Sequence, residues 1–298
     1  MSRWLSAMRL RTLPLAASCV FAGAAFGWSL APNPGWIFFL ALLTTFSLQI
    51  LSNLANDYGD FATGVDNANR VGPARAMQSG SISKTEMKRA LIISVFFTLL
   101  SGISLLFVAF QEDRSFIPAL CFFAIGLVAI AAAIKYTVGK NPYGYSGFGD
   151  LAVFIFFGLV GVGGNYFLYA KAFDVSILFP AIAVGLFSTA VLNLNNLRDH
   201  VNDKAGGKIT TVVRLGFDRG KKYHFVLVFL AFSSAVIGVY WNFVSWISLI
   251  PSIPLFTQLI LVLKVLKVQN PVDLDGELKK VAILTFLYGL LLFLTSGF

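Results

Sequence analysis

The sequence predicts an all-α integral membrane protein, a bundle of nine transmembrane helices around a central cavity. Three observations predict it. First, 57% of the 298 residues are hydrophobic and only 12% are charged, whereas soluble domains run at about one-quarter charged. The mean hydropathy of +0.78 is too apolar for a chain that keeps most of its surface in water. Second, nine apolar stretches approach the roughly 20 residues that a helix needs to cross a bilayer. Third, the ten-residue alternation of membrane-barrel strands is absent, so helices are left as the way to satisfy the backbone in lipid. A soluble enzyme, a disordered chain and a disulfide scaffold are excluded. The two cysteines, Cys19 and Cys121, sit in apolar runs and read as inert small hydrophobes.

The expected spans are 13–30, 36–55, 90–110, 116–135, 150–170, 177–197, 223–240, 243–263 and 280–297. The first follows a basic lead with Arg3, Arg9 and Arg11, as a signal sequence would. The apolar run continues past Gly27 without a cleavage site, so it reads as a span. The later spans are set off by clusters of basic residues. With the N-terminus in the cytoplasm, 21 of the 23 Lys and Arg fall on inside segments, and only Arg114 and Lys171 fall outside. That asymmetry fixes the orientation and an odd number of spans, with the C-terminus outside. It also accounts for the net charge of +9 as topology, with no nucleic acid implied. The outside connections are short. The inside connections between spans 2 and 3 and between spans 6 and 7 are long, and long loops are usually functional. The chemistry is therefore expected at the cytoplasmic face of a cytoplasmic (inner) membrane.

Two polar clusters end spans 2 and 6. The first runs N-L-A-N-D-Y-G-D-F-A-T-G-V-D from Asn53 to Asp66, with Asn53, Asp57 and Asp60 on one helical face and Gly64 ending the helix. The second runs from Asn193 to Lys208, with Asn195, Asp199 and Asp203 one turn apart. Acidic residues at helix ends are usually solvated caps. Two such clusters at equivalent ends on one side are better explained by cations held between them, because adjacent carboxylates repel. Oxygen-only ligands suit Mg²⁺, which shares its shell with water and phosphate. Neither cluster contains Cys and only His200 is nearby, which argues against zinc or copper. The flanking cations Arg75, Lys140, Arg198 and Lys208 could take the remaining phosphate charge. A divalent-cation transporter is the reading from another class, but its acids would lie near the midplane.

These motifs resemble those of the UbiA superfamily of intramembrane aromatic prenyltransferases. That family carries N-D-x-x-D and a later D-x-x-x-D on two of nine helices. Three further stretches are similar to the branch acting on 1,4-dihydroxy-2-naphthoate: Arg9–Pro14, Asn56–Gly80 and Tyr136–Gly158. Many members place the third acid of the first cluster four residues after the second. Here that position is Gly64 and the acid is Asp66, a longer spacing that this branch shares. The resemblance spans nearly the whole chain and implies one prenyltransferase domain over residues 1–298. It implies Mg²⁺-dependent transfer of a polyprenyl group from its diphosphate to the naphthoate, with decarboxylation, giving demethylmenaquinone. Another aromatic acceptor, such as 4-hydroxybenzoate, is the alternative within the family.

The implied roles follow. Asp57, Asp60, Asp199 and Asp203 are the catalytic acids and metal ligands, joined by Asp66. Asn53, Asn56, Arg75, Lys140, Asn196 and Lys208 would bind the diphosphate. Arg9 or Arg11 would pair with the acceptor carboxylate, and Tyr143 and Tyr145 would line its ring. Plain topology is the competing account of the basic residues, and the interfacial aromatic belt that of the tyrosines. The substrates and the lipid bilayer are the expected partners. The glycines Gly158, Gly161, Gly163 and Gly164 are expected to let span 5 pack closely.

Overall fold

The structure, a computed structural model, describes residues 2–66, 72, 74–112, 116–241 and 245–296. Arg70 and Arg114, both in the charge count, and the C-terminal Phe298 lie outside the described residues. Among the described residues, nine helices are long and apolar enough to cross a membrane.

A short entry helix, α1 (Ser2–Met8), precedes α2 (Leu13–Gly27), α3 (Pro34–Ala62), α4 (Lys84–Phe110) and α5 (Ile117–Lys135). The fifth span, α6 (Gly149–Ala170), is α-helical at both ends, and its middle, Phe154–Gly164, is a π-helix. Then come α7 (Leu178–Ala205), the short α8 (Thr211–Leu215), α9 (Phe217–Trp241), α10 (Ser252–Lys267) and α11 (Leu274–Thr295). Proline opens α2, α3 and α5 near their first positions, where no backbone N–H is needed. Ser83 and Glu86 form a reciprocal capping box at the start of α4.

All nine expected spans are present. α3 and α7 run seven and eight residues past the apolar stretches that marked them. Apolar counting stops at the edge of the hydrocarbon, whereas these helices continue with Asn and Asp satisfied by protein partners. Gly64, with φ at +76°, stands just past the end of α3, as its position in the sequence suggested.

The helices pack most extensively as α3 on α4, α2 on α11 and α7 on α9. A Cβ at Gly158 would lie 2.5 Å from the Ala181 carbonyl oxygen and 3.0 Å from Cα of Gly185, so α6 and α7 meet backbone to backbone there. Gly161 likewise meets Cys19, whereas nothing lies within 4 Å of a Cβ at Gly163. Large apolar side chains of α4 and α5, such as Ile92, Phe107 and Leu120, face outward, as a lipid-facing surface requires.

Candidate active site

A cavity of about 610 Å³ opens among α2, α3, α4, α5, α6, α7 and α11. Its mouth is polar, with Asp60, Asp199, Asp203, Arg75 and Lys208 among its lining, and its depth is apolar, with Leu48, Phe122, Phe123 and Leu168. The polar residues come from the extended ends of α3 and α7 and from the loops that follow them.

Lys208 joins the two clusters. Its ammonium lies 3.8 Å from Asp60 on α3 and 3.9 Å from Asp203 on α7. The turn after α7 puts it there: the Lys208 N–H donates to the Asp203 carbonyl at 2.8 Å, and Ile209 N–H donates to the Tyr145 carbonyl at 2.9 Å. Burial opposes charge on this lysine, but Asp60 and Asp203 more than offset that and hold its pKa above the usual range. Asn202 Nδ2 donates to the Val65 carbonyl at 2.7 Å and ties the α7 end to the loop that follows α3.

The other acids have partners of their own. Asp57 is 1% exposed and accepts from the backbone N–H groups of Ala76 and Met77 at 3.2 and 3.4 Å. It secures the loop that carries Arg75 and does not line the cavity. Asp66 is buried with an oxygen 3.7 Å from Arg75 Nε, and it also lies off the cavity lining. Asp199 is gripped at both oxygens by Arg198, at 2.8 and 2.7 Å. Arg198 also donates to Asn195 and, across to α11, to Asp275, at 2.8 and 2.7 Å. The sequence suggested Arg198 as a phosphate ligand. It acts instead as a brace whose fork is committed to protein oxygens.

The remaining expected residues divide. Asn53, Asn56, Asn196, Arg9, Arg11 and Tyr143 line the cavity. Lys140 does not: it sits exposed on the loop after α5. The chain turns at Gly139, whose φ is +117°, just before it. Tyr145 is drawn to the first cluster, where its hydroxyl donates to Asp60 at 2.7 Å. Burial and the Asp60 charge push its pKa up, so it stays a neutral donor. Tyr143 donates to the Ala132 carbonyl at 3.0 Å, and burial pushes its pKa up to about 12. Tyr136, which had no assigned contact with the acceptor, lines the cavity beside it. Residues that sequence reasoning missed are Gln49, Thr12 and Asp275. Thr12 and Asp275 stand far from the acidic motifs in sequence, and Gln49, one turn before Asn53, lies inside an apolar span where its role was not singled out.

The donor set suits a hard divalent cation. Every potential ligand at the mouth offers oxygen. Among the described residues, no three Asp, Glu, His or Cys gather as a ready-made metal cage. The five aspartates taken together as ligands are therefore not assembled into one shell. Such a site fits Mg²⁺, which is usually held by one or two carboxylates, with water and substrate phosphate supplying the rest.

A membrane-embedded helical bundle with two aspartate clusters at the polar mouth of a mostly apolar cavity defines an intramembrane prenyltransferase by class. The UbiA prenyltransferase family matches residues 16–294, and the chain belongs to that family. It is 46% identical over 230 residues to the 1,4-dihydroxy-2-naphthoate octaprenyltransferase of Haemophilus influenzae, covering 76% of this chain and 74% of that one. With the enzyme of the same name from Escherichia coli it shares 47% over 225 residues, covering 76% and 72%. A UbiA homologue from Archaeoglobus fulgidus, solved with GPP and Mg²⁺, superposes with a TM-score of 0.65 at 16% identity, over 98% of this chain and 99% of that one. A homologue from Aeropyrum pernix solved without ligand gives 0.66 at 15% identity, over 94% and 96%. At these identities the likeness to the archaeal proteins concerns the fold.

Proposed function

We infer that the protein transfers a polyprenyl group from a polyprenyl diphosphate to 1,4-dihydroxy-2-naphthoate. Diphosphate leaves the prenyl carbon, the ring carbon bearing the carboxylate takes the prenyl group, and carbon dioxide departs. The product is demethylmenaquinone in its reduced form. The observation that carries the reading is a cavity whose mouth gathers Asp60, Asp199, Asp203 and Lys208 above an apolar depth. The naphthoate enzymes of Haemophilus influenzae and Escherichia coli, similar over three-quarters of this chain, support the acceptor.

Asp60, Asp199 and Asp203 would hold Mg²⁺, which would supply charge stabilisation to the leaving diphosphate. Lys208, kept protonated between Asp60 and Asp203, and Arg75 would bind the phosphate oxygens. Neutralising charge as it develops on the leaving group is the main catalytic lever in such a site. The apolar walls hold the prenyl chain and keep water from the allylic cation. Tyr136 and Tyr143 offer ring faces for a flat acceptor. Incubation of the purified protein with the naphthoate, a prenyl diphosphate and Mg²⁺ will give the prenylated, decarboxylated mass. EDTA will abolish it and added Mg²⁺ will restore it. Full turnover in chelator would remove the metal from this account.

The basic residues also support an orientation, with the cavity mouth in the cytoplasm. A cysteine placed at Lys204 will react with an impermeant thiol reagent only from the cytoplasmic side, and one at Asn33 only from the outside. Reaction of the Lys204 position from outside would reverse both orientation and active-site face.

A further inference from the structure

Between α1 and α2 the backbone makes a turn that L-residues avoid. Arg9 has φ at 49° and ψ at 54°, the left-handed region, where a non-glycine side chain crowds its own carbonyl. Such strain persists only where the surroundings impose it. Here the imposing groups can be named. Asn53 on α3 donates from Nδ2 to the Met8 carbonyl at 2.9 Å and to Thr12 Oγ1 at 3.0 Å. Gln49, one turn earlier, donates from Nε2 to Thr12 Oγ1 at 3.2 Å and to Asn53 Oδ1 at 3.4 Å. Thr12 Oγ1 in turn donates to the Arg9 carbonyl at 2.9 Å.

The donor count decides what Asn53 does. A carboxamide has two N–H donors and one oxygen acceptor. Both Asn53 donors are spent on the Met8–Thr12 backbone and side chain, and its oxygen faces Gln49. Nothing is left to give a phosphate oxygen, although the motif places Asn53 beside the site. The side chain that its bonds aim is Arg9, which lines the cavity. The Arg9 and Arg75 guanidiniums both interact electrostatically with Asp57, so Arg9 belongs to the corner of the mouth formed by the first acidic cluster.

We propose that Asn53, seconded by Gln49, is a positioning residue that holds the strained Arg9–Thr12 turn, and that this turn presents Arg9 to the diphosphate and not to the acceptor carboxylate. The proposal rests on the reading of the mouth as a prenyl-diphosphate site. It reverses two sequence-based assignments, Asn53 as a phosphate donor and Arg9 as an acceptor ligand, and leaves Arg11 for the acceptor.

The test is a double-mutant cycle read by steady-state kinetics with each substrate varied in turn. Asn53→Ala and Arg9→Ala will each raise the prenyl diphosphate KM by about tenfold while leaving the naphthoate KM within about twofold. The double variant will be no worse than the poorer single one, because Asn53 acts through Arg9. Gln49→Ala will show the same pattern more weakly, and it carries the cycle if Asn53→Ala fails to fold. A second readout needs no acceptor. Inorganic pyrophosphate with Mg²⁺ will raise the melting temperature of the wild-type protein in detergent, and less so that of Asn53→Ala and Arg9→Ala. A rise in the naphthoate KM, additive effects in the double variant, or a fall in kcat with both KM values unchanged overturns the proposal. A wild-type protein that binds pyrophosphate in this pattern but does not prenylate the naphthoate would overturn the acceptor and leave the role of Asn53 standing.

Discussion

Asp203→Asn will slow prenyl transfer by about 10²–10³-fold at saturating substrates, the usual loss when one electrostatic element of a transition-state site is removed. The substitution keeps size and shape and removes one negative charge at the point where the α7 cluster meets Lys208. Lys208 keeps Asp60 as a partner at 3.8 Å, so the turn after α7 stays in place. The loss therefore falls on holding the cation and its diphosphate. Asp60→Asn will show the same loss, because it stands opposite across the same ammonium. Asp57→Asn will behave differently: its carboxylate is spent on the N–H groups of Ala76 and Met77, and an amide nitrogen placed against them will loosen the loop that carries Arg75. Rates and melting temperatures measured together separate the two patterns. Near-normal turnover by an intact Asp203→Asn protein would end the two-cluster mechanism.

Arg198→Leu will destabilise the folded protein by about 3–5 kcal/mol, the cost of leaving a buried charge without its partner. The guanidinium side chain is 3% exposed and serves Asp199, Asn195 and Asp275 at once. Removing it strands the Asp199 carboxylate, which is 5% exposed, and cuts the tie from α7 to α11. Asp275→Asn will cost much less, because that carboxylate is 28% exposed and water can replace its bond. Denaturation in detergent, followed by the loss of helical signal, measures both. Equal effects from the two substitutions would mean that Arg198 is not the buried keystone described here.

The spans were legible because lipid leaves few options: an apolar run of the right length has one stable conformation there. The acidic clusters were legible as well, since their residue types and same-side placement are both sequence properties. What each acid touches was not. Asp57 and Asp60 stand three residues apart on one helix, yet one faces a loop 19 residues on and the other faces Lys208 and Tyr145. That choice is made by the loops, whose course no periodicity records. Lys140 illustrates the converse, since the resemblance implied a diphosphate ligand there and the chain turns at Gly139 and leaves it exposed. Arg198 looked like a free cation because Asp275, which occupies it, is 77 residues away.

Among the described residues, α9 and α10 contribute nothing to the cavity wall. They pack behind α7 and α11 and touch the chemistry only through them. No residue identity on these two helices is demanded by substrate, and apart from a few buried polar ties, such as Lys221 to the Val268 carbonyl at 2.9 Å and Ser234 to the Phe179 carbonyl at 3.0 Å, what they owe the fold is shape and hydrophobicity. They form a buttress on which substitutions can accumulate as long as the volume facing Phe187, Ala190 and Tyr288 is kept. An engineer seeking to graft tags, cross-links or fluorophores without disturbing turnover should begin on the outward faces of these two helices.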